Sequence, residues 1–295
     1  MKASNKVKGA LFAVGGGCCW GMSGCVGQYL FTVQQMDSYW LVPIRLFLAG
    51  VILCIYWMVK NPKQFIEPWK KKRTAAELLI YGVLGVGCCQ FTYFYTIQLS
   101  SAAMATILQD VSPGIILLVV CIAGKRLPKI FEIVSLFLAL LGVFLITTHG
   151  SFQSLVISPT ALLVGMISAA CVCIYTLTPV TLQKKYPTQL MQGWAFFLSG
   201  IFFLLVFHPW TVGYVPNFFG ILGIAFVVLV GNIAAFGSYM TGVKLIGAQK
   251  ASLYSFAEPV MAAILSTAFL GSSFTIWDAC GFGCIFLMML LLGKK

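Results

Sequence analysis

Two acidic residues stand inside long apolar stretches, where a charged side chain is unexpected. Glu258 precedes Pro259 in SLYSFAEPVMAAILSTAFLG, and Asp110 lies three residues before Pro113 in ILQDVSPGI. A buried carboxylate can bind an amine or exchange a proton, and the alternative is a structural acid that is hydrogen-bonded to a neighbouring helix. Pro259 also removes a backbone donor and should leave the carbonyl of Ser255 without its helical partner. Both acids are candidates for a functional site.

Further polar and aromatic residues could line a binding pocket with these acids. Arg45 is the one basic residue inside an apolar stretch and could recognise a carboxylate. The alternatives for Arg45 are an ion pair that fixes its helix, or extension of the side chain to the membrane surface. Aromatic side chains suit aromatic, cationic or amphipathic ligands, although they also serve ordinary packing. The remaining candidates for substrate binding are Trp20, Gln90, Tyr93, Tyr175, Asn232, Tyr239 and Tyr254.

Other kinds of site are not indicated by the sequence. All eleven cysteines fall inside apolar stretches without paired CxxC spacing and nearby histidines, so we interpret them as packing residues. His149 and His208 show no metal-ligand spacing. The chain has no GxxxxGK[ST] loop for the phosphates of ATP. No catalytic residue, metal site or cofactor is predicted, and we do not expect an enzyme.

The composition indicates that lipid is the natural solvent of the chain. Of its 295 residues 60% are hydrophobic and only 9% are charged, whereas globular chains carry about 25% charged residues. Ten apolar stretches each approach the roughly 20 residues that a helix needs to cross a bilayer. They are residues 9–30, 39–59, 75–98, 102–124, 130–148, 159–182, 188–208, 217–243, 251–271 and 275–293. The sequence therefore predicts an all-α integral membrane protein with ten transmembrane helices.

The positions of the basic residues explain the net charge of +12. With ten spans, 18 of the 19 lysines and arginines fall on one side of the membrane, and Arg45 is the exception. Cytoplasmic connections carry this excess of positive charge. We therefore predict a multi-pass protein of the cell membrane with both termini in the cytoplasm. Because the basic residues serve as topology signals, no nucleic-acid partner is predicted.

An internal repeat relates the two halves of the chain. The stretch that starts at Tyr93 matches, without gaps, the stretch that starts at Tyr239, which is 146 residues later. Pro113 then aligns with Pro259. In transporters built from repeats, helices that are interrupted at matching positions point to the substrate site. We therefore predict that Pro113 and Pro259 mark helix interruptions beside such a site.

The repeat also predicts how the halves are oriented. A weaker match relates LFLAG at 46–50 to FFLSG at 196–200. Each half holds five spans, an odd number, so the second half must enter the membrane in the opposite direction. The prediction is two inverted five-helix repeats, residues 1–150 and 151–295.

The two acids do not match each other in this repeat. The counterpart of Glu258 is Ser112, and the counterpart of Asp110 is Phe256. Positions two apart on a helix point about 200° away from each other. Asp110 and Glu258 therefore need not face the same cavity.

Three motifs fall in the first, second and ninth spans: WG, PIRLFLAG and EPVMAAILSTAFLG. With these motifs, ten spans and a five-plus-five repeat, nearly the whole chain resembles the EamA-type transporters of the drug/metabolite transporter superfamily. The resemblance implies export of amino acids, related metabolites or drugs, and no single substrate. The sequence departs from the pattern where members often carry Glu after Leu-Gly, at the ends of spans four and nine. Those places read AGKRL (123–127) and LGSSF (270–274).

We expect a secondary active transporter that moves a small organic solute by alternating access. Export of an amino acid or related metabolite is the leading version, and efflux of drugs or cationic compounds and uptake of a metabolite stay open. A membrane-embedded enzyme is disfavoured, because the sequence shows no cluster of histidines and carboxylates. The expected partners are a small-molecule substrate, the lipid bilayer and protons as a candidate coupling ion. Monomer and homodimer both stay open.

Overall fold

The computed structural model of the chain describes residues 3–151, 158–270 and 275–293. These residues form helices with short connections and contain no β-strand. The helices are α1 (Ala3–Thr32), α2 (Ser38–Lys60), α3 (Lys72–Leu99), α4 (Ala102–Gln109 and Ser112–Ala123), α5 (Ile130–Thr148), α6 (Pro159–Leu177), α7 (Thr188–Phe207), α8 (Phe218–Ile246), α9 (Ala248–Tyr254 and Ala257–Leu270) and α10 (Ile276–Gly293).

Eight of the described helices, α1 to α8, are long and apolar enough to cross a bilayer. The all-helical membrane fold is therefore confirmed. Ten spans stay a prediction, because α9 is not among these eight and α10 is a shorter apolar helix. Some sequence features lie outside the described residues: Lys2, Lys294, Lys295, the last four residues of LGSSF, and residues 152–157 beside the predicted boundary between the halves.

Side chains at the helix ends explain where several helices begin and end. Asp37, Ser158 and Asn217 each accept a hydrogen bond from a backbone N–H of the helix that follows, which satisfies a donor without a helical partner. α5 and α7 end at His149 and His208, whose φ angles of 49° and 47° are left-handed and stop a helix. In the described part of the chain, no group of His, Cys, Asp or Glu could hold a metal ion.

α4 and α9 are each interrupted near the middle, just before the prolines. The first segments end with Asp110 and Ser255 in similar conformations, with φ, ψ of −71°, 0° and −70°, −9°. Pro113 and Pro259 then lie in the first turn of the second segment, where a missing N–H is tolerated. The prediction that the Ser255 carbonyl lacks a hydrogen-bond partner is wrong. The backbone tightens there, and the N–H of Glu258 donates to the Ser255 oxygen at 2.9 Å.

Two π-helical segments lie at matching positions in the two halves. They are Ile80–Gly87 in α3 and Val227–Ala234 in α8, which start 147 residues apart. Gly85 and Gly231 within them are 146 residues apart, and each packs closely on a helix of the other half. Gly85 meets the backbone of Tyr175 in α6, and Gly231 meets the side chain of Ser23 in α1. This correspondence supports the predicted repeat.

The crossing of α2 and α7 is also nearly symmetric. A methyl group at Gly50 would lie 2.5 Å from the Cα of Phe197, and one at Gly200 would lie 2.5 Å from the Cα of Phe47. The rings of Phe47 and Phe197 stack with their centres 5.8 Å apart. Each glycine is 150 residues from its counterpart, as in the weaker sequence match. Elsewhere α1 packs on α8 and α9, and α6 packs in the same way on α3 and α4.

Candidate functional site

A cavity lies between the two halves, bounded by side chains of seven helices. Its walls are formed by Trp20, Ser23, Gly24, Arg45, Cys89, Gln90, Tyr93, Phe94, Gln109, Tyr175, Phe236 and Glu258. The cavity encloses about 20 Å³, which is room for one or two water molecules. Pockets for organic ligands usually measure about 300–1,000 Å³. The helices must therefore move apart before an organic solute can bind here.

Glu258 lies in the wall of this cavity and is held by a residue of the other half. Its side chain is only 7% exposed, and the hydroxyl of Tyr93 donates to Oε1 at 3.1 Å. The same Tyr93 oxygen lies 3.1 Å from the hydroxyl of Thr106 in α4, which can donate to it. Glu258 also stands in the first turn of the second segment of α9, where the helix dipole stabilises a carboxylate. A hydrogen-bond donor and the helix dipole are therefore both directed at the carboxyl group of Glu258.

Asp110 is not among the residues that line the cavity, although its neighbour Gln109 is. Its Oδ2 atom is buried and has no hydrogen-bond partner among the described residues. Gln109 is fixed by its side-chain nitrogen, which donates to Ser168 Oγ at 2.6 Å and contacts Cys89 Sγ at 3.4 Å. The interruption of α4 thus presents an amide to the cavity, whereas the interruption of α9 presents a carboxylate.

Arg45 is buried in the cavity wall with an exposure of 1%, so its side chain does not extend to the surface. Its Nη2 donates to Oδ1 of Asn232, and the Asn232 amide donates back to the Arg45 carbonyl at 3.3 Å. The guanidinium carbon lies 4.0 Å from the centre of the Phe94 ring. Nε and Nη1 have no partner, and no ion pair involves Arg45 within the described ranges. Two donors therefore remain for an anionic group.

Aromatic rings form one side of the cavity. Trp20 packs on Phe236 and Tyr239 with ring centres 4.9 and 5.0 Å apart, and Tyr175 packs on the same two rings at 5.4 and 6.1 Å. Tyr239 lies behind the wall, and its hydroxyl is 3.2 Å from that of Thr176. This cluster joins α1, α6 and α8 and would have to open for a solute to pass on that side.

The structure brings together half of the residues that the sequence pointed to. Six line the cavity: Trp20, Arg45, Gln90, Tyr93, Tyr175 and Glu258. Two more, Asn232 and Tyr239, contact these side chains from behind. The other four predicted residues do not line it: Asp110, Pro113, Tyr254 and Pro259.

Sequence reasoning missed several wall residues. Phe236 could have been found, because it lies four residues after Asn232 and three before Tyr239 on one helical face. Gln109 could have been found from its place next to Asp110 at an interruption. Ser23, Cys89 and Phe94 carry no sequence signal of their own, because their roles depend on which helices become neighbours.

A protein-family match and two similar proteins each cover most of the chain. The model of the EamA-like transporter family matches residues 7–148 and again residues 159–293. The chain is 36% identical to an uncharacterized inner membrane transporter of Salmonella typhimurium, YicL, over 93% of this chain and 91% of that protein. It is 24% identical to the Escherichia coli K12 inner membrane transporter YedA, over 97% and 90%. A crystal structure matches the whole of both chains with a TM-score of 0.78 at 13% identity, a likeness of fold alone.

Proposed function

Because the chain belongs to the EamA-like transporter family, we propose that it is a secondary transporter that carries a small organic solute by alternating access. Its relatives are inner membrane transporters, and eight of its described helices are long and apolar enough to cross a membrane, so it is a multi-pass membrane protein. These relationships point to a transporter rather than to an enzyme. The observation that carries the proposal is the cavity between the halves, which is lined by both Arg45 and Glu258.

Alternating access in this proposal rests on two inverted repeats, residues 1–150 and 151–295. The matching interruptions, the paired π-helical segments and the near-symmetric crossing of α2 and α7 support it. The halves would rock about the cavity so that it opens first to one side of the membrane and then to the other. The excess of basic residues in alternate connections supports cytoplasmic termini.

The charges of the cavity favour an amino acid or a related zwitterion as the solute. The two free donors of Arg45 suit a carboxylate, and the carboxylate of Glu258 suits an amine. The aromatic wall formed by Trp20, Tyr175 and Phe236 suits an apolar or aromatic side chain. Efflux of simple cations is less well supported, because Arg45 would repel them. Export is the favoured direction, although the same cycle can run along either gradient.

Glu258 is the favoured carrier of a coupling proton. It lines the cavity, whereas Asp110 does not, so a proton on Glu258 and an amine at the same carboxylate would exclude each other. Proton release would then accompany substrate binding. Asp110 is the second candidate for this exchange.

A thermal-shift screen of the purified protein against amino acids, amines and nucleosides would first identify a stabilising solute. Its pH-driven flux is then measured in proteoliposomes with Glu258→Gln and Asp110→Asn. We expect Glu258→Gln to lower the flux at least about tenfold, which corresponds to about 1.4 kcal/mol, and Asp110→Asn to retain most of it. Unchanged flux and coupling in both variants would remove the carboxylate mechanism. Stabilisation by amines but not by amino acids would contradict the zwitterion assignment.

A further inference from the structure

The connection between α2 and α3 carries the densest positive charge of the chain. Residues 60–73 read KNPKQFIEPWKKKR, with six basic residues and one acidic residue. All six basic side chains are exposed. The corresponding connection between α7 and α8, residues 208–217, contains no lysine or arginine. We refer to residues 60–73 as the basic segment.

The basic segment is folded and held against α7. It forms two short helices, Pro62–Ile66 and Glu67–Lys70. The ring of Phe65 stacks on Trp194 with centres 4.5 Å apart, and the Trp194 indole donates to the Phe65 carbonyl at 3.0 Å. Trp69 packs edge-on against the same indole at 5.1 Å. The cations are therefore presented on an ordered support, with aromatic rings on its inner side.

Exposed apolar side chains lie next to these cations. Met58 and Val59 at the end of α2 are 50% and 78% exposed, and Ile66 within the basic segment is 55% exposed. The Lys60 ammonium is turned back to the hydroxyl of Tyr56 at 2.7 Å. In a bilayer such apolar groups contact acyl chains while the lysines reach the headgroups. A nucleic acid or an acidic protein would leave the apolar groups in water.

We propose that the basic segment is a binding surface for anionic phospholipids of the surrounding bilayer. Juxtamembrane clusters of four to eight basic residues attract acidic headgroups over roughly a Debye length. Bound headgroups would also hold α7 in place, because the basic segment contacts Trp194 of α7. The residue before it, Gly193, packs against Leu53 of α2. The lipid composition would thereby stabilise the crossing between the two halves. The proposal is independent of the solute that the cavity takes.

The experiment uses the full chain in neutral detergent with added short-chain phosphatidylglycerol or phosphatidylcholine. The apparent unfolding temperature is measured for the wild type and for Lys70→Gln/Lys71→Gln/Lys72→Gln. A matched control removes three exposed lysines elsewhere, Lys125→Gln/Lys129→Gln/Lys244→Gln. A second variant, Lys70→Arg/Lys71→Arg/Lys72→Arg, keeps the charge.

We expect phosphatidylglycerol to raise the unfolding temperature of the wild type, the control and the arginine variant, and to raise that of the neutralised segment less than half as much. About 0.5 M salt should remove the difference. Equal shifts with phosphatidylcholine, or an equal loss in the control, would overturn the proposal. A full shift with inorganic phosphate alone would also overturn it, since the surface would then bind small anions rather than lipid. If the Lys70→Gln/Lys71→Gln/Lys72→Gln variant fails to fold, the proposal is tested on the wild type. Its unfolding temperature must then rise with phosphatidylglycerol but not with phosphatidylcholine, and salt must remove the rise.

Discussion

α4 and α9 are interrupted at matching places, yet they hold their acidic residues in different ways. In α9 the interruption is followed by Glu258, which lies in a first helical turn and accepts a hydrogen bond from Tyr93. In α4 the interruption contains Asp110, whose Oδ2 has no partner within the described residues. The backbone geometry is common to the two halves, while the chemistry differs. A symmetric scaffold can thus present a carboxylate from one side and an amide from the other.

The packing around the two interruptions differs as well. Gly21 of α1 lies against the carbonyl oxygen of Glu258, so that two backbones are in contact. On the other side Gly165 of α6 lies against the side chain of Leu108. The Leu108 Cδ1 atom can move to another rotamer, which leaves the Leu108 Cβ at 2.9 Å as the fixed contact of Gly165, whereas Gly21 meets a backbone carbonyl that cannot move alone. We infer that α9 is held more rigidly than α4 at its interruption.

The largest effect is expected when an acid is placed in the α4 interruption at the counterpart of Glu258. Ser112 is 4% exposed, and its carbonyl accepts a weak hydrogen bond from Cys173 Sγ at 3.6 Å. In Ser112→Glu an uncompensated charge would be buried there, at a cost of about 3–5 kcal/mol. The measurement is the apparent unfolding temperature in detergent.

Ser112→Gln is the control for this change, because it adds nearly the same volume without a charge. We expect the glutamine variant to be clearly more stable than the glutamate variant. If the two unfold at the same temperature, the α4 interruption accepts an acid as readily as α9 does, and the chemical contrast between the helices is wrong.

A smaller effect is expected from adding a methyl group at the two glycines. Gly21→Ala should lower the stability by about 1–3 kcal/mol, since the Glu258 carbonyl and the Met261 Cβ at 3.1 Å leave no space. Gly165→Ala should cost less, because its nearest contact, the Leu108 Cδ1 atom, can move and only the Leu108 Cβ at 2.9 Å stays fixed. Gly15→Ala is the control. No described atom outside its own helix turn lies within 4 Å of the new methyl, and alanine favours a helix by up to about 1 kcal/mol.

Equal losses for Gly21→Ala and Gly165→Ala in the same unfolding assay would show that the two interruptions are equally rigid. The transport flux of both variants is measured as a second test. If α1 must slide over the α9 interruption during transport, Gly21→Ala should slow the flux by more than its loss of stability accounts for.

The membrane fold was predictable, because apolar length and charge placement are local properties of the sequence. The matched prolines also gave the approximate positions of the interruptions, since proline acts on its own turn. The breaks themselves fall three and four residues earlier, at Asp110 and Ser255, because proline is accepted in the first turn of the following segment. The sequence could not show that the Ser255 carbonyl finds a new donor.

The cavity was less predictable, because its walls depend on contacts between distant helices. Arg45 and Asn232 were each selected as polar residues at membrane depth, but their mutual hydrogen bonds span 187 residues of sequence. The helical offset of two positions led to the prediction that Asp110 and Glu258 need not face the same cavity, and of the two only Glu258 is among the lining residues. Phe236 was passed over, although its spacing from Asn232 and Tyr239 places it on the same helical face as these two candidates.

The smallest effect is the coupling energy at the hydroxyl group that connects the two interruptions. Tyr93 bonds to Thr106 in α4 and to Glu258 in α9. Tyr93→Phe should therefore cost at least about 1 kcal/mol of stability, since it leaves the buried carboxyl of Glu258 without this donor. Thr106→Val should cost less, because Tyr93 would keep its bond to Glu258.

If one hydroxyl serves both helices, the double variant Tyr93→Phe/Thr106→Val should lose less stability than the sum of the single variants. The expected difference is at least about 0.5 kcal/mol, as for residues in one hydrogen-bond network. Thr147→Val is the additive control, because its hydroxyl bonds only to carbonyls of its own helix α5. Additive losses for Tyr93 and Thr106 would mean that the two interruptions are energetically independent. The different setting of Glu258 would then be a property of α9 alone. It would not depend on the hydrogen bonds by which Tyr93 of α3 connects α9 to α4.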